Sequence, residues 1–415
     1  MNPAFATVAS ARAGTRPIRV LMVSDVYFPR VNGVSTSIET FRRSLAEFGV
    51  DVRLLVPRYG DEPDAEGILR VAGRRVPGDP EDRLVSWRDM HHSARRLAAE
   101  CDLVHIQTPF VAHYAGVAAA RVHRRPLMLT YHTFFEEYLH HYAPWLPAAW
   151  LRAAARRFSR AQCNQVDAVV VPSTAMRDRL EAYGVTRPLQ VLPTGIPLEG
   201  FGAGDGMRFR TLHGISPRAE LALFVGRVAH EKNIAYLIDV AHRLRPRLPE
   251  LVLMIAGEGP AMPALRAQVA ACGLDECVRF VGYLDRARAL PDCYAAADAF
   301  VFASRTETQG LVLIEAMAAS LPVVALAAMG TVDILAPRRG AVVPEDSVEA
   351  FAEALGGVLT DRELRARLAR DAQAYSVEWS DIAMAGRLAR LYAEVVEGAC
   401  GASDGRHAVQ IAQGL

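Results

Sequence analysis

The run Leu221-Ala222-Leu223-Phe224-Val225-Gly226-Arg227-Val228-Ala229-His230-Glu231-Lys232-Asn233 changes character twice. Leu221–Val225 is bulky and apolar throughout, the pattern of a strand buried on both faces. Gly226 breaks the run, and beyond Asn233 apolar residues recur at Ile234, Leu237, Ile238 and Ala241, the spacing of one helix face. Buried strand, short turn and amphipathic helix make up the repeating unit of a parallel α/β sheet. The turn carries Arg227 and Lys232 beside a helix N-terminus. A guanidinium fork and a compact ammonium neutralise phosphate oxygens in complementary ways, and helix amides add to the same field, so the turn suits a diphosphate. The chain has 47 basic residues, and Lys232 is the sole lysine among them. Lysine kept at this one place points to a site where the two cations are not interchangeable.

The same alternation runs in both directions from this stretch. Ile18–Val23, Val52–Val56, Leu103–Ile106, Leu127–Thr130 and Ala168–Val171 read as buried strands before it. Leu221–Val225, Leu251–Ala256, Val278–Val281, Ala299–Phe302 and Val323–Leu326 repeat the theme. Between strands lie helical patterns; Val34, Ile38, Phe41, Leu45 and Phe48 share a face, and Gly49 stands where a C-terminal cap belongs. Leu192-Pro193-Thr194-Gly195-Ile196-Pro197 punctuates the chain between the two series. The expected architecture is α/β, two doubly wound Rossmann-like domains facing across a cleft, with ligands beyond the carboxyl ends of the strands. Residues 1–16 read as a loose leader, 17–193 and 194–375 as the two domains, and 376–397 as a helix packing back on the first. That helix has Ile382, Leu388, Leu391 and Val395 in period, and from Gly398 the small, polar tail 398–415 reads as frayed.

With 415 residues, 51% hydrophobic and 22% charged, the chain is long enough for two cores, and disordered or collagen-like classes are excluded. A formal charge of +1 gives no field to draw nucleic acid, so no nucleic-acid partner is expected. The cysteines Cys101, Cys163, Cys272, Cys277, Cys293 and Cys400 form no Cys-x-x-Cys pair and read as reduced thiols of a cytoplasmic protein. Residues 1–16 lack the apolar core of a signal peptide. Leu311–Met329 is apolar enough to be weighed as a spanning helix, but Pro322 and Val323-Val324-Ala325-Leu326 read better as a buried helix followed by a strand.

A second chemical signal is Glu307-Thr308-Gln309-Gly310-Leu311-Val312-Leu313-Ile314-Glu315, which opens that apolar helix. Glu315 lies well inside it, where a carboxylate between Ile314 and Ala316 needs a partner, and vicinal hydroxyls can supply one. Glu307 precedes the helix, placed to cap amides or to bind sugar hydroxyls.

The order Gly226-Arg227…Glu231-Lys232, Ala256-Gly257-Glu258-Gly259-Pro260, Glu307…Glu315 and Gly330-Thr331-Val332-Asp333 resembles the nucleotide-sugar half of a GT-B retaining glycosyltransferase of family 4. The likeness runs from about Ile18 to Val396. It implies that Arg227 and Lys232 hold the donor diphosphate, that Glu315 takes the ribose, and that Glu307 contacts sugar hydroxyls. The amides of Gly310 and Leu311 would face the phosphates, and backbone at Val281, Gly282, Tyr283 and Leu284 would frame the nucleobase. Where the family usually has Gly-Phe-Gly after the first glutamate, this chain has Thr308-Gln309-Gly310, a form similar to the bacterial glycolipid-forming branch, such as diacylglycerol α-glucosyltransferases and related α-mannosyltransferases.

In the first half, the resemblance implies a glycine loop at Pro29-Arg30-Val31-Asn32-Gly33-Val34, where Gly33 lets backbone approach the donor. Asn-Gly also suits a type I′ hairpin, but a helix follows instead of a strand. Thr130-Tyr131-His132-Thr133 ends a strand and looks like the family's active-site histidine segment, with His132 bonding the transferred sugar or its acceptor. Glu136, Glu137, His140 and His141 cluster at helical spacing without His-Glu-x-x-His order, which argues against a zinc hydrolase. The sequence has no Asp-x-Asp, and two cations already serve the diphosphate, so no metal and no cofactor are expected. Trp145, Leu146, Trp150, Leu151 and Phe158 interleave with Arg152, Arg156, Arg157 and Arg160. Such a helix suits either an anionic membrane surface or a packed helix with a solvated arginine face.

The expected activity is retaining, metal-independent transfer of a hexosyl unit from a UDP-glucose or GDP-mannose type donor to a hydroxyl acceptor, a membrane lipid or lipid-linked glycan. The protein would work in the cytoplasm, peripherally on the inner face of the membrane. Alternatives are a sugar-nucleotide epimerase of the same fold and a sensor that binds without turnover. A phosphorylase would need a pyridoxal lysine, and the sole lysine is committed to the turn at 232.

Overall fold

The computed structural model describes residues 16–63, 65–76, 79–132 and 148–412. The chain forms two compact units: one runs up to Gly195 and takes in the segment from Asp381 onward, and the other is Ile196–Ser380. The crossings thus fall slightly later than residues 194 and 376. Where the chain enters and leaves the second unit, Ile196 N donates to Trp379 O at 3.1 Å.

The first unit contains β1 (Ile18–Val23), α1 (Gly33–Ser44), β2 (Val50–Pro57), β3 (Ile68–Val71), β4 (Gly73–Val76), β5 (Asp79–Val85), α2 (Trp87–Ala98) and β6 (Leu103–Ile106). It continues with α3 (Val111–His123), β7 (Leu127–Thr130), α4 (Ala148–Cys163), β8 (Ala168–Val171), α5 (Thr174–Ala182) and β9 (Leu189–Val191). Its sheet has the order β3-β2-β1-β6-β7-β8-β9, every pair parallel. Strand periodicity sends alternate residues to opposite faces. Leu21, Val23, Val104, Ile106, Leu129 and Val169 pack with Met90, Ala94, Ala112 and Ala115 of α2 and α3. Val20, Met22, Leu54, Met128 and Val170 pack with Ile38 and Phe41 of α1 on the other face. The helix that returns from the second unit, α14 (Asp381–Ala412), joins that face through Met384, Ala385, Leu388, Leu391 and Tyr392.

The second unit holds α6 (Gly206–Leu212), β10 (Leu221–Val225), α7 (Ile234–Leu244), β11 (Val252–Ala256), α8 (Met262–Ala271), β12 (Val278–Gly282), α9 (Ala289–Ala296) and β13 (Ala299–Phe302). After these come α10 (Leu311–Ala318), β14 (Val323–Ala325), α11 (Thr331–Leu335), β15 (Ala341–Val342), α12 (Val348–Thr360) and α13 (Arg362–Ser376). Its parallel sheet has the order β12-β11-β10-β13-β14-β15.

Four details differ from the sequence reading. The strands it missed, β3, β9, β15 and the hairpin β4–β5, are short or charged and lie at sheet edges or outside the large sheets, where burial on both faces is not required. The tail expected to fray from Gly398 stays helical to Ala412; it has no proline, and a helix nucleated by its packed half propagates cheaply. Arg16, assigned to a loose leader, is held by Asp102 through bonds of 2.6 and 2.9 Å. The helix read as Val34–Phe48 is regular only to Ser44; it then tightens into a 3-10 turn that Gly49 closes at φ 69°.

Candidate functional site

In the second unit, strand order reverses at β10, which has β11 on one side and β13 on the other. The loops leaving the carboxyl ends of β10 and β13 therefore emerge side by side, the place where open parallel sheets receive ligands. These are the two stretches that the sequence singles out. Lys232 Nζ donates to Glu307 Oε2 at 2.5 Å, both side chains being about one-fifth exposed (19% and 21%). Asn233 Nδ2 donates to Ala303 O at 3.1 Å, and Ser304 Oγ to Glu231 O at 3.2 Å, which stitches the two loops together. Arg227 reaches out from the turn, more than half exposed, and pairs with Glu231.

The second loop ends at Gly310, whose φ of 83° begins α10 without any side-chain cap. Asn32, Ser86, Ser173, Asp205, Ser347 and Asp361 each cap a helix with a side-chain oxygen, whereas α7, α8 and α11 begin, like α10, without one. Leu313 N donates to Gly310 O at 3.0 Å, and among the described residues no side-chain oxygen caps the amides of Leu311 and Val312. Gly330 holds this loop from the β14 side: its N donates to Glu307 O at 2.8 Å, and a Cβ there would sit 2.0 Å from Thr308 O.

Glu315 is 4% exposed on α10 and has the partners that burial demands. Its Oε2 accepts from Tyr294 Oη at 3.1 Å, and its Oε1 pairs with Arg286. Burial, together with the adjacent carboxylate, pushes the Tyr294 phenol well above 10. Arg286 is itself largely exposed, so its guanidinium links the buried Glu315 carboxylate to the surface. Val281 and Gly282 end β12 and Tyr283 and Leu284 follow; Gly257 N donates to Gly282 O at 2.7 Å, and the Tyr283 ring is 73% exposed.

In the first unit the order reverses at β1, between β2 and β6. Asn32 begins α1, its Oδ1 accepting from Ser35 N at 2.9 Å; that is a helix cap and not a hairpin turn. Among the described residues, nothing lies within 4 Å of where a Cβ at Gly33 would sit. His132 follows β7, with Nε2 3.0 Å from Gln107 Oε1, and burial pushes its imidazole down to about 4, so it is neutral at neutral pH. Beneath it His105, fully buried on β6, bonds Thr130 Oγ1 through Nε2 and Tyr392 Oη through Nδ1, each at 2.7 Å.

Arg227, Lys232, Glu307, Gly310 and Leu311 thus converge on one sheet edge, and Glu315 lies one turn deeper on the same helix. Gly33 and His132 belong to the first unit. Sequence reasoning missed Arg286 and Tyr294, an arginine among many and a tyrosine inside a helix, because only packing brings them to Glu315. It also missed Gln107, although its place just after a strand was visible. Thr133, Glu136, Glu137, His140, His141, Trp145 and Leu146 lie outside the described residues. Cys272 and Cys277 are free thiols. Among the described residues, no helix is long and apolar enough to cross a membrane.

The fold and this site define a nucleotide-sugar enzyme class, and comparison with known proteins gives it a family. Residues 208–375 match Glycosyl transferases group 1, and residues 31–199 match Glycosyltransferase Family 4. The chain belongs to this glycosyltransferase family, with the GT-B fold of two Rossmann-like units. It is 32% identical over 321 residues to an alpha-monoglucosyldiacylglycerol synthase of Streptococcus pneumoniae, covering 74% of this chain and 71% of that one. It is 26% identical over 386 residues, 90% and 97% of the two chains, to a GDP-mannose-dependent alpha-(1-6)-phosphatidylinositol monomannoside mannosyltransferase of Mycolicibacterium smegmatis. Among solved structures, Anabaena HepE in complex with UDP superposes with a TM-score of 0.70 at 18% identity, over 91% of this chain and 100% of that one.

Proposed function

We propose that this glycosyltransferase moves a hexosyl unit from a nucleoside diphosphate sugar to a lipid hydroxyl, with retention at the anomeric carbon and without a metal ion. The observation that carries this reading is the contact between Lys232 and Glu307 beside Arg227. It sets a diphosphate-neutralising cation directly against a carboxylate able to hold sugar hydroxyls. The bond from the anomeric carbon to the diphosphate oxygen breaks, and the acceptor oxygen bonds to the same face. The acceptor's proton passes to the departing phosphate oxygen. Arg227, Lys232 and the uncapped amides of α10 stabilise the charge that builds on that diphosphate, which is where such sites lower the barrier most. Glu315 takes the ribose, and the backbone at Val281–Leu284 frames the base. Metal independence is supported by the two cations and by the lack of an Asp-x-Asp motif.

Two relatives are named for lipid products or acceptors, a glucosyldiacylglycerol and a phosphatidylinositol mannoside, and these support the lipid acceptor. A membrane contact on α4 fits the same reading. Arg152, Arg156, Arg157 and Arg160 are exposed on this helix, and Trp150 is 75% exposed. Ala155, Ser159 and Cys163 face inward. Each cation near an anionic surface contributes about 1 kcal/mol, so four suffice for reversible docking.

The test offers purified protein UDP-glucose or GDP-mannose with phosphatidylglycerol vesicles containing diacylglycerol or phosphatidylinositol, and scores products by mass. A lipid that gains one hexose, with α configuration by NMR and in the presence of EDTA, is the expected result. Lys232→Ala should lower the rate roughly 100-fold or more while melting as the parent does. No transfer to any lipid would overturn the acceptor reading, and full activity of Lys232→Ala would overturn the diphosphate assignment.

A further inference from the structure

Gln107 stands just beyond the carboxyl end of β6 and is 4% exposed. Its backbone N donates to Val23 O at 2.9 Å, which ties it to the end of β1 at the point where the sheet order reverses. Its Oε1 lies 3.0 Å from His132 Nε2. A carboxamide oxygen can only accept, so the facing imidazole nitrogen carries the proton, and Nδ1 keeps the lone pair. Burial disfavours a second proton on this ring.

The strand that delivers His132 is held on its other sides as well. His105 Nε2 bonds Thr130 Oγ1, two residues upstream, and His105 is braced in turn by Tyr392 of α14. Tyr131 Oη bonds Ser159 Oγ of α4 at 2.8 Å, and Tyr131 N donates to Val170 O at 2.9 Å. These contacts fix the backbone that leads into the histidine. Among the described residues, Gln107 makes the hydrogen bond to its ring.

We propose that Gln107 is a positioning residue for glycosyl transfer: it keeps the His132 proton on Nε2, so that Nδ1 is the ring's acceptor for a sugar hydroxyl. This rests on the reading of His132 as the sugar-facing side chain. Without Gln107 the ring can rotate or exchange tautomers, and a hydroxyl would then meet an N–H where it needs a lone pair.

The tautomer is read on the ligand-free protein by NMR of 15N-labelled histidine, with His132→Asn assigning the signal. The parent is expected to show a protonated Nε2 and a bare Nδ1. Gln107→Met should give a mixture of tautomers. With UDP-glucose or GDP-mannose and diacylglycerol vesicles, kcat should fall about tenfold while the donor KM changes less than about threefold, the size of one lost neutral hydrogen bond. Gln107→Glu keeps an acceptor in the same place, should restore the Nε2 proton, and serves if Gln107→Met fails to fold. A parent ring protonated on Nδ1, or a tautomer that Gln107→Met leaves unchanged, would overturn the proposal. A shifted tautomer together with full activity of His132→Asn would instead overturn the role given to His132, leaving Gln107's hold on the ring intact.

Discussion

Histidines buried in the first unit tie its stability to pH. His105 is fully buried and pushed down to about 3, by burial first and by neighbouring His132 second. His113, also fully buried, is pushed down to about 4 by burial, and its Nδ1 has no hydrogen-bond partner among the described residues. In the unfolded chain both would titrate near the ordinary 6.5. Below that pH the unfolded state binds protons that the folded state refuses, so stability is complete above 6.5 and is lost as pH falls toward 4 and 3. Each histidine contributes a slope of up to about 1.4 kcal/mol per pH unit in that window. Urea unfolding followed between pH 7 and 5 should show the first unit weakening, and His113→Gln should flatten the slope. A midpoint constant over that range would show that these rings are protonated in the fold.

The turns at the carboxyl edge of the second sheet are built on backbone contacts that exclude side chains. Gly257, at φ 139°, would place a Cβ only 1.9 Å from Gly226 O, and Val228 N donates to Glu258 O at 2.9 Å just beside it. The cationic turn after β10 therefore takes its shape from the turn after β11. Gly257→Ala combines an unfavourable φ with a backbone clash and should destabilise the second unit by about 2–4 kcal/mol. Calorimetry would read this as a lowered melting transition, with diphosphate binding lost in parallel. Gly33→Ala, where the added methyl group meets nothing within 4 Å among the described residues, should leave the melting of the first unit unchanged. Equal melting of Gly257→Ala and the parent would mean that the turns relax independently.

At the level of whole units, the two differ in how the chain builds them. Ile196–Ser380 is continuous and carries its own core of both sheet faces. The first unit needs α14, which arrives only after the second is complete and covers Val20, Met22 and Leu54 with Leu388, Leu391 and Tyr392. A fragment spanning residues 196–380 should fold cooperatively and bind UDP or GDP. A fragment ending at Gly195 should lack fixed tertiary packing by near-UV circular dichroism, because the part of its sheet face that α14 covers stays wet. A native-like spectrum for the latter would show that α14 is dispensable.

The fold class was legible because buried parallel strands must be apolar on both faces, and runs such as Leu221–Val225 and Ala299–Phe302 satisfy that locally. The cationic turn and the paired glutamates were legible too, since charge next to a helix start is a feature of neighbouring residues. Edge strands such as β3 and β9 were not, because an edge needs no such apolar run. Which side chains meet was also beyond local reading. Lys232 and Glu307 touch only because strand order reverses at β10, and Glu315 finds Arg286 and Tyr294 through packing of separate helices. Gln107 meets His132 for the same reason, two strand ends being laid side by side in a sheet. Sequence alone thus determined the elements and the chemical groups, whose signals are short-range. Tertiary structure decided the pairings, which depend on the order in which distant strands take their places.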